Sequence, residues 1–170
     1  LGRVPITASS LNSALATPSE GLRELALSGA TIDQLEDALI DAVRPVDGTL
    51  DGEASRQAIK EALSHLLHVE PGVDLLALNE EQRLLVIERF AAFEVWSRFE
   101  LDVGRAVHEH APSLRVAAER MQEARRFVLE AVAQVFRSIP RPTRVTARIV
   151  RGHVEAALRR TFEVFQGYLE

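Results

Sequence analysis

The segment 79–111 is the feature that most constrains how this chain can fold. Between Leu84 and Val107 its apolar residues do not keep to one stripe, and no proline interrupts it before Pro112. A helix that is apolar on nearly every side must be surrounded by other elements. At 1.5 Å per residue, such a helix is about 45–50 Å long. The pattern therefore predicts a long buried central helix against which the rest of the chain packs.

One continuous polar stripe runs along this predicted helix, with successive spacings of four, four, three and four residues. It consists of Glu94, Arg98, Asp102, Arg105 and Glu109. Residues at these spacings share a helix face, and Glu94 with Arg98 makes a favourable i,i+4 pair. The stripe predicts one solvent-facing side for the central helix, with Glu94 on it.

The other segments show helical periodicity, and none shows the period-two alternation of a strand. Helices are predicted at 19–28, 31–44, 51–69, 114–138 and 143–168. Thr31 with Gln34 and Asn79 with Gln82 form capping-box patterns, while Asp51 is the predicted N-cap of the third of these helices. The helix at 31–44 has a predicted acidic outer face of Asp33, Glu36, Asp37 and Asp41.

These elements predict an all-α fold, a helical bundle of about five main helices around the central helix 79–111. Residues 1–16 are rich in serine, threonine and alanine and weakly patterned, so they predict an irregular N-terminal arm. We expect residues 1–18 to be this arm, or the end of a flexible leader, and residues 19–170 to be a single helical domain. Short loops favour antiparallel neighbours, so the helices on either side of Pro112 should form a long hairpin.

Composition narrows the classes of function. The chain has no cysteine, which excludes disulfides and thiolate zinc sites and favours the cytoplasm. It has no apolar run long enough to cross a membrane, and we expect no membrane partner. Charge is unevenly distributed: residues 1–100 hold 8 basic and 17 acidic side chains, whereas residues 101–170 hold 12 and 8. This division predicts an acidic face and a basic face.

No motif predicts catalysis or a cofactor. There is no cysteine nucleophile, no serine in a Gly-x-Ser-x-Gly context and no glycine-rich phosphate loop. His65 and His68, with Glu61 one turn earlier, could bind a metal ion, but a last helical turn also favours histidine for its interaction with the helix dipole. We favour the second interpretation, and a metal-dependent hydrolase remains a remote alternative.

The other three histidines show no pattern that predicts catalysis or metal binding. His108 and His110 are two residues apart and point to different helix faces, which makes them a poor ligand pair. His153 lies on the apolar side of the last helix. It is predicted to be a semi-buried structural histidine rather than a catalytic base.

The most prominent polar feature is a run of arginines near the last helix, with no acidic residue between Ala131 and Val154. The predicted partner-binding residues in it are Arg141, Arg144, Arg148 and Arg151. Such a face could follow nucleic-acid phosphates, but it lacks interleaved aromatics for stacking bases, and the chain as a whole is acidic. We favour docking on an acidic protein surface and keep a nucleic-acid-binding adaptor as the alternative.

Three stretches, 27–63, 99–107 and 162–170, resemble a recurring bacterial pattern. In the first, a glycine precedes an amphipathic acidic helix, and a proline-containing loop leads to a Gly-Thr-Leu-Asp sequence that opens a helix with an early arginine. The residues that carry these marks are Gly29, Asp41, Pro45, Gly48, Thr49, Leu50, Asp51 and Arg56. The pattern resembles the QatB component of bacterial Qat antiphage defence systems, and the resemblance covers most of residues 22–170.

The resemblance implies a non-enzymatic member of a four-gene system. Its other members are an ATPase, a QueC-like enzyme similar to 7-deazaguanine synthetases, and a TatD-like nuclease. The resemblance further implies that QatB is the binding partner and protein substrate of the QueC-like enzyme, which attaches a deazaguanine-type base near the QatB N-terminus. Family members carry a flexible Gly/Ser-rich leader there, and we expect residues 1–10 to be the end of one. The resemblance assigns no modified residue to a numbered position of this chain.

Overall fold

The computed structural model describes residues 3–138, 140 and 145–169; at 102, 103, 106 and 161–169 it describes the backbone but not the side chains. The described residues form helices joined by short loops, without a strand, which confirms the all-α prediction. The helices are α1 (Val4–Ala16), α2 (Glu20–Leu27), α3 (Ile32–Val43), α4 (Leu50–Val69), α5 (Glu80–His110), α6 (Leu114–Ser138) and α7 (Ala147–Leu169).

Helix α5 is the centre of the bundle, as predicted, and packs against α1, α4, α6 and α7. Residues 90–96 are buried without a break, so about two turns of α5 are covered on all sides. Asn79 and Gln82 form the predicted capping box, each side chain accepting a hydrogen bond from the other residue's backbone N–H at 2.9 Å. The hairpin with α6 turns at Pro112, also as predicted.

Two expectations about α5 are wrong. Glu94 is buried at 9% exposure rather than solvent-facing, whereas Leu101, predicted to be in the core, is 67% exposed. Both follow from where α4 packs. Ser55 of α4 hydrogen-bonds Glu94, so α4 covers α5 at that point. Leu50, the first residue of α4, and Leu101 both line one open cleft.

The prediction of an irregular N-terminal arm is wrong for 4–16, which form α1. Val4, Ala8, Leu11 and Leu15 are buried in the core at helical spacing, and α1 packs against α3, α5 and α7. Serine and threonine lower helix propensity, but the burial of an apolar stripe overrides it. Whether residues 19–170 form a domain by themselves stays a prediction.

The acidic outer face of α3 also needs correction. Asp33, Asp37 and Asp41 are exposed, but Glu36 is only 4% exposed, and burial raises the pKa of its carboxyl. Helix α3 packs against α1, α2 and α4, so its covered face is wider than the predicted apolar stripe. On the outer side Lys60, the only lysine of the chain, lies 4.0 Å from Asp37.

Candidate functional site

The predicted arginine face of α7 is described only in part. Arg141 and Arg144 lie outside the described residues, whereas Arg148 and Arg151 are exposed. Arg151 forms an ion pair with Glu155 one turn later, with 3.3 Å between Nε and Oε1. This acidic partner reduces the net positive charge of the face. The role of the four arginines in binding a partner stays a prediction.

The histidines do not form a metal site in the part of the chain that the structure describes, where no three acidic or histidine side chains are placed to hold an ion. His65 is half-buried, and burial lowers the pKa of its imidazole. Glu61 points to Arg125 of α6, 3.9 Å away. His153 is half-buried, as predicted, with Nδ1 3.0 Å from the carbonyl oxygen of Ile149.

A cleft of about 650 Å³ opens where the start of α1, the loop before α4 and the middle of α5 meet. We call it the Glu94 cleft. Its lining residues are Arg3, Val4 and Thr7 at α1, Arg44, Thr49, Leu50, Asp51, Ala54 and Ser55 at α4 and the preceding loop, and Glu94, Ser97, Arg98 and Leu101 of α5. Its volume is typical of ligand pockets, and like them it combines apolar walls with a few convergent polar groups.

A carboxyl group lies at the floor of the cleft. Glu94 accepts a short hydrogen bond from the hydroxyl of Ser55, which is 39 positions earlier in the chain and also buried. Burial raises the pKa of Glu94, and the nearby Asp51 adds to that effect, while the hydrogen bond from Ser55 opposes it. The bond joins α4 to α5 in the core. Among the described residues Ser55 is the hydrogen-bond donor to this carboxyl, which can accept further bonds.

The rim of the cleft is a tightly bonded turn. Thr49, rather than the predicted Asp51, caps α4 by accepting a hydrogen bond from the Gly52 N–H at 3.0 Å. Asp47 Oδ1 accepts from the Thr49 backbone N–H at 3.0 Å and from its hydroxyl at 2.6 Å. These bonds lower the pKa of the Asp47 carboxyl. Gly48 between them has φ +68°, a conformation that favours glycine.

Two further contacts fix this turn. Asp47 forms an ion pair with Arg44 at 3.0 Å. A Cβ atom added at Gly52 would lie 2.1 Å from Asp47 Oδ1, so the turn closes directly over that glycine. Residues 47–52 are therefore locked by local bonds and by the absence of a side chain.

Arg56 ties the same turn to α3. Its guanidinium donates to the carbonyl oxygen of Arg44 at 2.6 Å and contacts Asp41 at 2.7 Å. Of the residues that carry the resemblance, Thr49, Leu50 and Asp51 line the Glu94 cleft, while Arg56 and Asp41 support the turn beside it. The contacts described for these residues hold the turn together and attach it to α3.

A second depression of about 420 Å³ lies between α4, α5 and α6. Arg125 reaches over the ring of Phe93, with 5.5 Å between Cζ and the ring centroid, and meets Glu61 on α4. Trp96 also lines it. Arg125 therefore already covers the aromatic side chain at the bottom of this depression. The depression is part of the packing among α4, α5 and α6 and not an open binding site.

Sequence reasoning missed the Glu94 cleft. Its floor pairs residues on different helices, and the i,i+4 spacing of Glu94 and Arg98 indicated a solvent-facing stripe. One available signal was that Glu94 is the only charged residue in the run Phe90–Trp96, where burial was predicted on every side.

No helix of the described residues is both long enough and apolar enough to cross a membrane. No curated protein and no solved structure matches the chain. Residues 4–165 match the family described as Qat anti-phage system associated protein QatB. That match covers nearly the whole chain, including all residues of the Glu94 cleft except Arg3. The chain belongs to the QatB family of proteins associated with the Qat anti-phage system.

Proposed function

We propose that this chain is a non-catalytic helical component of an anti-phage defence system and acts in the cytoplasm. In this proposal it is the binding partner and the protein substrate of a QueC-like enzyme of the same system, which modifies its N-terminal region. The ATPase and the TatD-like nuclease of the system are further proposed partners. The chain supplies a rigid surface and an acceptor segment, and the enzyme supplies the chemistry.

The family match over residues 4–165 is the observation that carries this proposal. The structure supports a binding role through large apolar side chains left in solvent. Leu27, Leu50, Leu101 and Leu114 are between 67% and 89% exposed. Large exposed apolar side chains are common at surfaces that another protein covers, although single ones also occur without a function.

The binding part of the proposal is tested by co-expressing the chain with the QueC-like enzyme and analysing both by size-exclusion chromatography. We expect the two proteins to elute together in a complex. Two folded proteins that elute separately at micromolar concentration would contradict the proposed partnership. Circular dichroism of each protein alone provides the control for folding.

The substrate part is tested by intact mass spectrometry of the full-length protein made with and without the other genes of the system. We expect a mass increase that appears only when the QueC-like enzyme is present, and fragmentation should place it in the N-terminal region. An unchanged mass in a chain that does bind the enzyme would leave it a partner and rule out its role as a substrate.

The alternative is a nucleic-acid-binding adaptor that uses the arginine face of α7, and the exposure of Arg148 and Arg151 favours it. Its test is the double replacement Arg148→Glu with Arg151→Glu, measured by fluorescence anisotropy with labelled DNA and RNA across a salt series. If the chain is such an adaptor, the double variant binds nucleic acid more weakly, and its affinity falls less steeply with increasing salt concentration. A matched control reverses two exposed arginines of α6, Arg115 and Arg120. Equal affinity in both double variants removes this alternative.

A further inference from the structure

The Glu94 cleft combines apolar walls with one buried acceptor group. Val4, Ala54 and Leu101 contribute apolar surface to its sides, while the floor is the Glu94 carboxyl with its Ser55 partner. A carboxylate can accept about four hydrogen bonds, and Ser55 supplies one. The arrangement suits a ligand group with a long apolar stem and a strong donor at its tip.

The entrance of the cleft carries two leucines that are exposed to an unusual degree. Leu50 is 87% exposed and Leu101 is 67% exposed, and both line the same cleft from different helices. Leu50 is the first residue of α4 and directly follows the locked turn at 47–49, so its position is fixed by the cap. Two apolar side chains held at the mouth of a cleft provide a surface that a partner segment can cover.

The charges around the cleft limit what the partner segment can be. Arg44 is neutralised by Asp47 at 3.0 Å, so it adds little net charge. Glu94 at the floor and Asp51 at the edge are acidic, whereas Arg3 brings positive charge to the rim. The occupant should therefore carry a positive donor at its inserted tip and oxygen acceptors beside it. A polypeptide with an inserted basic side chain has both, because its own carbonyl groups flank that side chain.

We propose that the Glu94 cleft is the docking site for a segment of the partner protein that inserts a lysine or arginine side chain. The methylene stem of that side chain lies along Val4 and Ala54, as basic side chains do on apolar surfaces, and its charged head binds Glu94. Residues beside it in the segment cover Leu50 and Leu101. This inference rests on the proposed function, which supplies the partner.

The position of the cleft agrees with that partner. Arg3 and Val4, at the start of α1, line the cleft. An enzyme seated there is next to the N-terminal region that it is proposed to modify. Binding at this surface therefore serves both the recognition and the placement of the acceptor segment.

The first test compares Leu50→Asp with Leu27→Asp. The two leucines are 87% and 89% exposed, but Leu27 does not line the cleft. Both replacements remove little packing, and an acidic residue is favourable in the first turn of α4. We expect Leu50→Asp to weaken binding of the QueC-like enzyme by at least about tenfold, measured by isothermal titration calorimetry, and Leu27→Asp to leave the affinity unchanged.

The second test compares Glu94→Gln with Glu88→Gln. Both carboxyls belong to α5, and burial raises the pKa of each, but Glu88 does not line the cleft. Glutamine keeps an oxygen for the Ser55 hydroxyl and loses the charge that the inserted basic group requires. We expect at least about tenfold weaker binding for Glu94→Gln alone.

The possible outcomes distinguish a failure of the docking proposal from a failure of the proposed function. If the unaltered chain forms no complex, the proposed partnership fails and the docking proposal fails with it. If the unaltered chain binds while Leu50→Asp and Glu94→Gln bind equally well, the partner uses another surface and the docking proposal alone is overturned.

Discussion

Glu94 is a carboxyl group in an environment that opposes its charge. Its neighbours on α5, residues 90–96, are all buried, and the Ser55 hydroxyl is its described hydrogen-bond partner. Burying a charge is unfavourable unless the charge is paired. The pKa of Glu94 is raised because burial disfavours the charged form of its carboxyl.

The first prediction concerns the pH dependence of stability. Because the pKa of Glu94 is raised above 4.5 in the folded protein, the native state holds this proton to higher pH than the unfolded chain does. Its contribution to stability is therefore full below pH 4.5 and decreases as pH rises through the folded pKa. Glu94→Gln should raise the melting temperature relative to the unaltered chain, and the difference should grow from pH 4.5 toward neutrality.

The measurement is differential scanning calorimetry between pH 4 and 8. Glu36 and Glu88 also have pKa values raised by burial, so only the difference between variant and unaltered chain isolates Glu94. A difference that is constant across this range would show that Glu94 does not titrate with folding.

The second prediction is the effect of deleting the side chain. Glu94→Ala should destabilise the chain by about 2–3 kcal/mol, because it enlarges the cleft into the core and leaves the buried Ser55 hydroxyl unpaired. Urea denaturation followed by circular dichroism measures this change. Arg98→Ala, at an exposed position one turn later, should cost less than about 1 kcal/mol.

At the scale of elements, α1 shows how tertiary packing decides what local sequence leaves open. Its residues include four serines and threonines among thirteen, and its apolar stripe at Val4, Ala8, Leu11 and Leu15 is narrow. That stripe is nevertheless buried by α7, α5 and α3. Periodicity alone could have indicated this helix, but not the helices that cover it.

The third prediction tests whether α1 belongs to the core. Leu11 has no exposed surface, whereas Ile6 on the same helix is 48% exposed. Leu11→Ala should lower the free energy of unfolding by about 2–5 kcal/mol, and Ile6→Ala by less than about 1 kcal/mol. Equal and small effects in urea denaturation would mean that α1 does not contribute to the cooperative core.

The predictable parts of the fold were those with local signals. Capping boxes at Thr31 and Asn79 and the proline at 112 fixed helix ends from neighbouring residues. The sequence predicts Asp51 as the N-cap of α4, but several neighbouring residues can also cap a helix. Thr49 takes that position since Asp47 holds its N–H and hydroxyl. The floor of the cleft could not be predicted, because Ser55 and Glu94 meet only when α4 packs on α5.

At the scale of the whole molecule, burial divides α5 into two parts. Residues 90–96 are surrounded by other helices, whereas Arg98, Glu100, Leu101 and Arg105 are exposed. The second part keeps α6 as its neighbour in the hairpin. In the described residues, α5 therefore has one part covered on all sides and a second part, toward the hairpin turn, with less covering.

The fourth prediction is a difference in local stability along this one helix. Amide hydrogens of residues 86–96 should exchange only through global unfolding, and those of residues 105–110 should exchange at least about tenfold faster through local opening. Native-state hydrogen exchange with mass spectrometry measures both. Uniform protection as far as His110 would contradict this division of α5. The segment Ala58–Leu66 of α4 provides a slow-exchanging reference, because five of its residues are buried: Ala58, Ile59, Ala62, Leu63 and Leu66.

The close approach at Gly52 restricts which sequences can build this surface. In an ordinary helix, alanine in place of glycine stabilises by about 1 kcal/mol. Here the added methyl group would displace Asp47 from Thr49 and Arg44. Glycine at position 52 therefore fits the neighbouring turn, at a cost to the stability of its own helix. We therefore expect a glycine three residues after the capping threonine to identify the same cleft entrance in the sequences of related chains.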